Sequence, residues 1–481
     1  MKELIGLIAA AGKGMRLHPD TEYLPKTLLK IDGIPILQRN IELMRDSLGI
    51  KQIFILVGYK KEMIVDTFGD GKKLGVAISY IIVDNIDQGL AGGIYLAKEH
   101  IHDNFCLILG DEVYYHSNHS ELLELLEKDF SAVCAIKEVK SPFVIKKNYS
   151  VEIANGQIVA LVEKPEIIKN NYLGCGTYLL KPDFFDFIKI TAPSLKTKRV
   201  ELVDVINLVA KKEGRVYPFM LKGEYVNVNN IDGYNLANYT LRSFEFSKKS
   251  VSLIIPAYNE ELSLPYVIDD FKDKVAEIVV VNNNSQDRTK EIAEAKGARV
   301  LTGSFRGYGD ALKFGMDNAK GDIFILVEAD GSFFARDMVK LLEYLKDADM
   351  VLGTRTTKQM IEQAANMPFL LRWGNVIVAK LLELLWLVKE PRLTDVGCTY
   401  RGIWKSSYLE IRDSLKGVGP EFSPEMIVEA IHYNKRVIEI PITYSGRLGG
   451  ESKFSKNLLA NSRTALRMLK LIFWKRIKYL I

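Results

Sequence analysis

Two groups of residues, far apart in the chain, have the types and spacing to handle nucleoside phosphates. The first is Ala10-Ala-Gly-Lys-Gly-Met-Arg16-Leu17, followed by Leu24-Pro-Lys26-Thr27. Gly12 and Gly14 lack a Cβ, so backbone N–H groups there can come close to a phosphate chain. Arg16 and Lys26 add fixed positive charge where a triphosphate is attacked. This is not a Walker loop, because Lys13 is followed by Gly rather than Ser or Thr. The second group is Glu328-Ala-Asp330, with the Gly-rich basic segment Arg447-Leu-Gly-Gly-Glu-Ser-Lys453. Two carboxylates one residue apart can share a metal that neutralises a leaving nucleoside diphosphate. Arg447 and Lys453 can grip that diphosphate or the phosphate of an acceptor.

Such groups need strand ends and loops to hold them, and the pattern supplies both. Leu4-Ile-Gly-Leu-Ile and Val251-Ser-Leu-Ile-Ile are short apolar runs ending in turn chemistry, each followed by a helical pattern. Ile53–Val57, Ile78–Val83 and Cys106–Leu109 continue the rhythm in the first half. Glu277–Asn282 and Ile323–Val327 repeat it in the second. Buried strands alternating with helices predict α/β domains with parallel sheets. The polar stretch 243–250 sets the expected boundary. That gives domains at 1–245 and 251–455, and a final segment at 456–481.

The final segment is helical and amphipathic. Arg463, Arg467, Lys470 and Lys478 fall near one face. Leu466, Leu469, Ile472, Phe473, Ile477 and Leu480 fall on the other. From Lys453 to Ile481 there are eight basic residues and no acidic one, which suits an anionic membrane surface. The alternative is a helix docked on its domain with a solvated basic face. Residues 372–389 are also apolar and helical, but Lys380 and Glu383 argue against a membrane span.

The 481 residues are enough for two or three domains. An apolar share of 48% and a charged share of 26% exclude wholesale disorder. A net charge of +5 is too small to argue for nucleic acid. Cys106, Cys134, Cys175 and Cys398 show no CxxC spacing, so neither a disulfide framework nor a zinc site is expected. His116-Ser-Asn-His119 has metal-like spacing, but two surface histidines are the preferred reading. The N-terminus reads as a first strand and not a signal peptide, so the expected setting is cytoplasmic, peripheral on the membrane's cytoplasmic face.

On the first group, and on four further motifs in the family's order, the first half resembles sugar-1-phosphate nucleotidylyltransferases. Gln88-Gly89-Leu-Ala-Gly-Gly resembles the loop holding the base, and Ala10, Gly12 and Gly14 the nucleotide-binding turn. Leu109-Gly-Asp111 resembles the strand end whose Asp binds Mg²⁺ (or Mn²⁺). Glu163-Lys164-Pro165 resembles the sugar and phosphate contact, with Gly176 as a further sugar contact. Val226-Asn-Val-Asn-Asn230 resembles the closing segment that supplies a second metal ligand. Asn227 and Asn229 are the candidates, and Asn229 matches the arrangement in N-acetylglucosamine-1-phosphate uridylyltransferases, which favours UTP.

The second half resembles family 2 glycosyltransferases of the GT-A fold, and within them the polyprenyl-phosphate (dolichyl-phosphate) mannose or glucose synthases. The resemblance rests on Ile254-Ile-Pro256-Ala-Tyr258-Asn-Glu260, Asn282-Asn283, Arg306-Gly-Tyr-Gly, Glu328-Ala329-Asp330, Val351-Leu-Gly-Thr-Arg355 and Thr394-Asp395. It implies nucleotide contacts at Pro256, Tyr258, Glu260, Asn282, Asn283, Arg306 and Ala329, and metal ligation by Glu328 and Asp330. It also implies a sugar contact at Asp395 and a catalytic Arg447. An amide pair at 282–283 suits uracil, which presents N3–H beside a carbonyl. For a general base, Asp395, Glu421 and Glu425 are candidates; a phosphate acceptor would need none.

The resulting expectation is two Rossmann-like α/β domains, a nucleotidyltransferase fold and a GT-A fold, plus a C-terminal amphipathic helix. The first would make an NDP-sugar, a UDP-sugar by the uridine hints, from NTP and sugar 1-phosphate. The second would pass the sugar to a polyprenyl phosphate. Alternatives are a cytidylyltransferase for a polyol or choline phosphate beside a glycosyltransferase of different donor, and a catalytically silent nucleotide-sugar sensor.

Overall fold

The computed structural model describes residues 4–17, 23–85, 88–194, 197–362, 365, 369–386, 391–449 and 458–480. The chain divides into two compact units, 1–241 and 242–481. The division falls inside the helix Ile231–Glu245, one residue before the polar stretch, because the helical pattern runs into the expected boundary.

In the first unit the sheet runs Gln157–Glu163, Tyr149–Ala154, Tyr172–Leu180, Phe105–Leu109, Ile5–Ala9, Gln52–Val57, Ala77–Ile82. Ala132–Glu138 and Val216–Met220 pair beside Tyr172–Leu180. The half containing Ile5–Ala9 is parallel. Tyr172–Leu180 enters antiparallel, so the sheet is mixed rather than purely parallel. Its central strands read as unbroken apolar runs because both faces are covered: Leu7 and Leu107 pack into one core, Ile8 and Ile108 into the other. A separate two-stranded ribbon, Glu112–Tyr115 with Glu224–Asn227, stands outside this sheet.

The second unit is built the same way. Its sheet runs Arg299–Thr302, Glu277–Asn282, Val251–Ala257, Ile323–Leu326, Arg401–Trp404, Met350–Thr354, Val437–Pro441. Arg401–Trp404 is antiparallel to both neighbours, and the remaining pairs are parallel.

The terminal helix, Leu458–Lys478, belongs to the second unit. It buries Met468, Ile472 and Lys475, and leaves Leu466, Phe473, Trp474 and Ile477 exposed, as is Leu480 just past its end. The packed stripe is therefore rotated from the apolar face read in the sequence. The cause is Lys475, whose Nζ lies 2.8 Å from Glu425 Oε1 and 2.6 Å from Glu429 Oε1 on the helix Phe422–His432. Arg463, Arg467, Lys470 and Lys478 remain exposed. Among the described residues no helix is long and apolar enough to cross a membrane.

Candidate active sites

In the first unit the strand Ile5–Ala9 hands over at buried Ala10 to an open turn. Gly14 sits at φ 64°, and a Cβ on Gly12 would meet nothing within 4 Å. Arg16 is exposed on the short 3₁₀ turn that follows. Gly89 opens the helix Gly89–Tyr95 at φ 84°, where a Cβ would press on Arg199 at 3.2 Å; half-buried Gln88 precedes it. Lys26 lies on a second 3₁₀ turn after Pro25 and is only 9% exposed. Its Nζ is 2.5 Å from Asp111 Oδ2 and 3.0 Å from Asn229 Oδ1. Register explains the choice between the two asparagines. In the ribbon Asn227 stands opposite Glu112, and Val228 N donates to Asp111 O at 2.9 Å. Asn229 therefore shares the Lys26 ammonium with Asp111, while Asn227 turns to Glu112.

Do these residues suit Mg²⁺? The Lys26 ammonium is a stand-in cation held by two oxygens from separate segments. Oxygen donors of this kind suit a small hard cation that keeps most of its shell for water and phosphate. The fit is good.

The three expected sugar contacts of this unit behave otherwise. Glu163 and Lys164 are exposed and pair with each other at 3.2 Å, an ordinary surface ion pair. Gly176 is buried, and its N–H donates to Glu112 Oε2 at 2.6 Å, so that amide is not available to a sugar. Glu112 was not singled out in the sequence. Burial, with the adjacent Asp111 charge, pushes its carboxyl up to about 7.

In the second unit Asp330 is buried after the strand Ile323–Leu326. Its Oδ1 accepts from Ser332 N and Oγ, and its Oδ2 lies 3.0 Å from Arg447 Nε. Glu328 accepts from Thr399 Oγ1 at 2.8 Å and lies 3.9 Å from Arg447 Nη2. Burial and then Asp330 push Glu328 up to about 7. Arg447 thus plays here the part that Lys26 plays in the first unit, and two carboxylates around one cation again fit a divalent metal. Ala329 between them is buried. Lys453 lies outside the described residues.

Around this centre several expectations change. Asn283 accepts from Phe305 N at 2.8 Å and donates to Phe305 O at 3.2 Å; Asn282 Oδ1 accepts from Ser285 N at 3.1 Å. Both amides hold their own loops, so the argument from their donor–acceptor pattern to uracil loses its basis. Asp395 is 0% exposed. It is gripped by Arg355 Nε at 2.8 Å and Nη2 at 3.0 Å, with Gly397 N at 3.2 Å. It orients Arg355 and is closed to a sugar or to a proton-transfer role. Glu425 is equally saturated, by Lys416 N, Gly417 N and Lys475. Of the three base candidates only Glu421 keeps a buried oxygen, Oε2, without a hydrogen-bond partner. Pro256 is the last residue but one of the central strand, and Tyr258 is exposed just beyond its end. The Glu260 carboxylate caps Ser263 Oγ at 2.7 Å, and Arg306 is exposed and paired with Asp310 at 2.9 Å. The loop after Leu415 supports the Arg306 segment, since Gly309 N donates to Val418 O at 2.8 Å.

Residues 5–243 match the family Nucleotidyl transferase, and residues 252–410 match Glycosyl transferase family 2. The UTP--glucose-1-phosphate uridylyltransferase AglF of Haloferax volcanii is 30% identical over 231 residues, 48% of this chain and 89% of that protein. The chain belongs to the nucleotidyl transferase family. A family 2 glycosyltransferase domain follows the nucleotidyl transferase domain. The bifunctional protein GlmU of Methanocaldococcus jannaschii is 35% identical over 224 residues, 46% of this chain and 50% of that protein. The chain thus spans about half the length of such relatives. A solved UDP-glucose pyrophosphorylase complexed with UDP-glucose is 25% identical with a TM-score of 0.45, covering 51% of this chain and 100% of that one.

The nucleotidyl transferase unit also corrects the reading of His119, which is buried rather than at the surface. Its ring nitrogens pair with Ser117 Oγ at 2.8 Å and Thr177 Oγ1 at 3.1 Å. Among the described residues no group of three or more His, Cys, Asp or Glu could hold a metal. Burial lowers the His119 pKa from 6.5 to about 4. Between those values the unfolded chain binds more protons, so this group's contribution is complete above pH 6.5 and lost as pH falls toward 4. We expect the stability of the unaltered chain to fall across that window by up to about 1.4 kcal/mol per pH unit more steeply than that of His119→Gln. Denaturant titrations at several pH values check this, and parallel slopes would count against it.

Proposed function

We propose that the chain is a bifunctional enzyme that makes an NDP-sugar and then delivers the sugar to a polyprenyl phosphate. The observation that carries the first half is the Lys26 ammonium held between Asp111 and Asn229, beside an open glycine turn. In this reading a phosphate oxygen of the sugar 1-phosphate attacks the α-phosphorus of the NTP. The α–β bridging bond breaks and pyrophosphate leaves. Mg²⁺ bound by Asp111 and Asn229 would neutralise phosphate charge. Lys26, released from that carboxylate, and Arg16 stabilise the charge on the transferring phosphoryl group. The relative that covers most of its own length here is named as a uridylyltransferase, which supports UTP and a hexose 1-phosphate.

For the second half, Glu328 and Asp330 would hold the metal and Arg447 the diphosphate. Asp395 and Glu425 are saturated by hydrogen bonds, which leaves Glu421 alone of the three base candidates with an open oxygen, and this scarcity favours an acceptor that is already anionic. The exposed Phe473, Trp474 and Ile477, beside Lys470 and Lys478, favour a lipid acceptor at an anionic surface. Joining both activities in one chain raises the local concentration of the intermediate.

The test is mass spectrometry of products after mixing the full chain with UTP, hexose 1-phosphates, a polyprenyl phosphate and phosphatidylglycerol vesicles. Pyrophosphate, a UDP-hexose and a hexosyl phospholipid are expected. Product from CTP and a polyol phosphate alone, or no product with any NTP, would overturn the reading. In the same mixture Phe473→Glu with Ile477→Glu should lower vesicle binding roughly tenfold.

A further inference from the structure

Glu112 directly follows Asp111, yet its side chain is only 2% exposed. Four donors converge on it. Tyr114 OH and Gly176 N each lie 2.6 Å from Oε2. Tyr225 OH lies 2.8 Å and Asn227 Nδ2 3.2 Å from Oε1. A carboxyl this deeply buried is costly unless such bonds satisfy it.

The origin of the donors gives the arrangement its meaning. Tyr114, Tyr225 and Asn227 belong to the two-stranded ribbon, which has no ladder to the main sheet. Gly176 belongs to the strand Tyr172–Leu180, which pairs with Phe105–Leu109 in that sheet. The Glu112 carboxyl therefore joins ribbon to sheet. Asp111 lies at the ribbon's start on one strand, and Asn229 lies just past its end on the other. Gly176 is shaped for the contact, since a Cβ there would lie 2.5 Å from the Glu112 carboxyl carbon.

We infer that Glu112 is a positioning residue for the cation seat, fixing the ribbon to the main sheet so that Asn229 Oδ1 stays opposite Asp111. This rests on the proposed role of Asp111 and Asn229 as metal donors. Loss of the Glu112 bond leaves the Thr177 Oγ1 to Tyr114 OH bond, at 2.8 Å, as a looser tether of ribbon to sheet, so the two oxygens drift apart and metal binding weakens before the unit unfolds. A glutamine can replace the carboxyl. Its oxygen serves Gly176 N–H and Tyr114, and its amide nitrogen faces Tyr225 and Asn227. Asn227 Oδ1 is buried without a partner and can accept after an amide flip.

The test uses the full chain in an Asp330→Asn background, which silences the second candidate seat, and reads Mn²⁺ binding from the EPR signal of the free ion. Glu112→Ala should weaken Mn²⁺ binding by roughly tenfold or more, and Glu112→Gln should restore it to within about threefold. Asp111→Asn should abolish it. Mn²⁺ binding unchanged in Glu112→Ala, with loss in Asp111→Asn, overturns the inference and leaves the metal reading standing. Binding retained in Asp111→Asn overturns the metal reading itself. Should Glu112→Ala fail to fold by circular dichroism, Tyr225→Phe removes one donor only. It should still weaken Mn²⁺ binding by about two- to fivefold, and unchanged binding there sinks the inference.

Discussion

Asp111→Ala is expected to stop pyrophosphate release while sugar transfer from supplied NDP-sugar continues, and Asp330→Ala is expected to do the reverse. Each loss should reach about a thousandfold in turnover, the scale for removing a principal charge stabiliser from phosphoryl transfer. The separation follows from the architecture. Each unit carries its own pair of core layers, one on each face of its sheet. Each acidic cluster is closed within its unit, around Lys26 in one and Arg447 in the other. A variant in which both activities fall together would refute independent sites. Undiminished turnover in either variant would show the wrong carboxylate had been chosen.

Lys475→Met should destabilise the second unit by about 3–5 kcal/mol, the range for leaving buried charge without its partner. Lys475 is fully buried between Glu425 and Glu429, which stand one turn apart on a single helix. Without the ammonium, two carboxylates face each other away from water. Tyr479 OH, at 2.7 Å from Glu429 Oε2, and the Lys416 and Gly417 amides on Glu425 donate hydrogen bonds but bring no positive charge. Adding Glu429→Gln to Lys475→Met should recover part of the loss, so the two changes will be less than additive. All four tryptophans, Trp373, Trp386, Trp404 and Trp474, lie in the second unit, so fluorescence during denaturant unfolding reports on it alone. A midpoint that does not move would mean that the helix docks by some other contact.

What the sequence disclosed, and what it hid, follows from the range of the interactions. Strands such as Ile5–Ala9 and Val251–Ala257 were legible because their signal is local, an apolar run that stops at a turn. Asp111 and Asp330 could be singled out from residue type and position just after a strand, and Lys26 from the Pro25-Lys26 motif. The roles of Asp395 and Glu425 were not. Each looks like a free acid until Arg355, forty residues away, or Lys475, fifty residues away, is brought against it by the fold. Lys475 itself entered the sequence reading only as one of eight basic residues, since helical periodicity cannot reveal two acids waiting on another helix. Glu112 stayed hidden for the same reason: two of its four donors come from residues over a hundred positions later.

The acidic centres at Asp111 and Asp330 each hold a positively charged side chain from their own unit, Lys26 at 2.5 Å and Arg447 at 3.0 Å. The folded chain is thus self-neutralised before any divalent ion arrives, and an incoming ion must compete by exchange. Chelators should accordingly arrest turnover yet leave the melting curve where it was, a behaviour opposite to that of domains whose metal is the keystone of the fold.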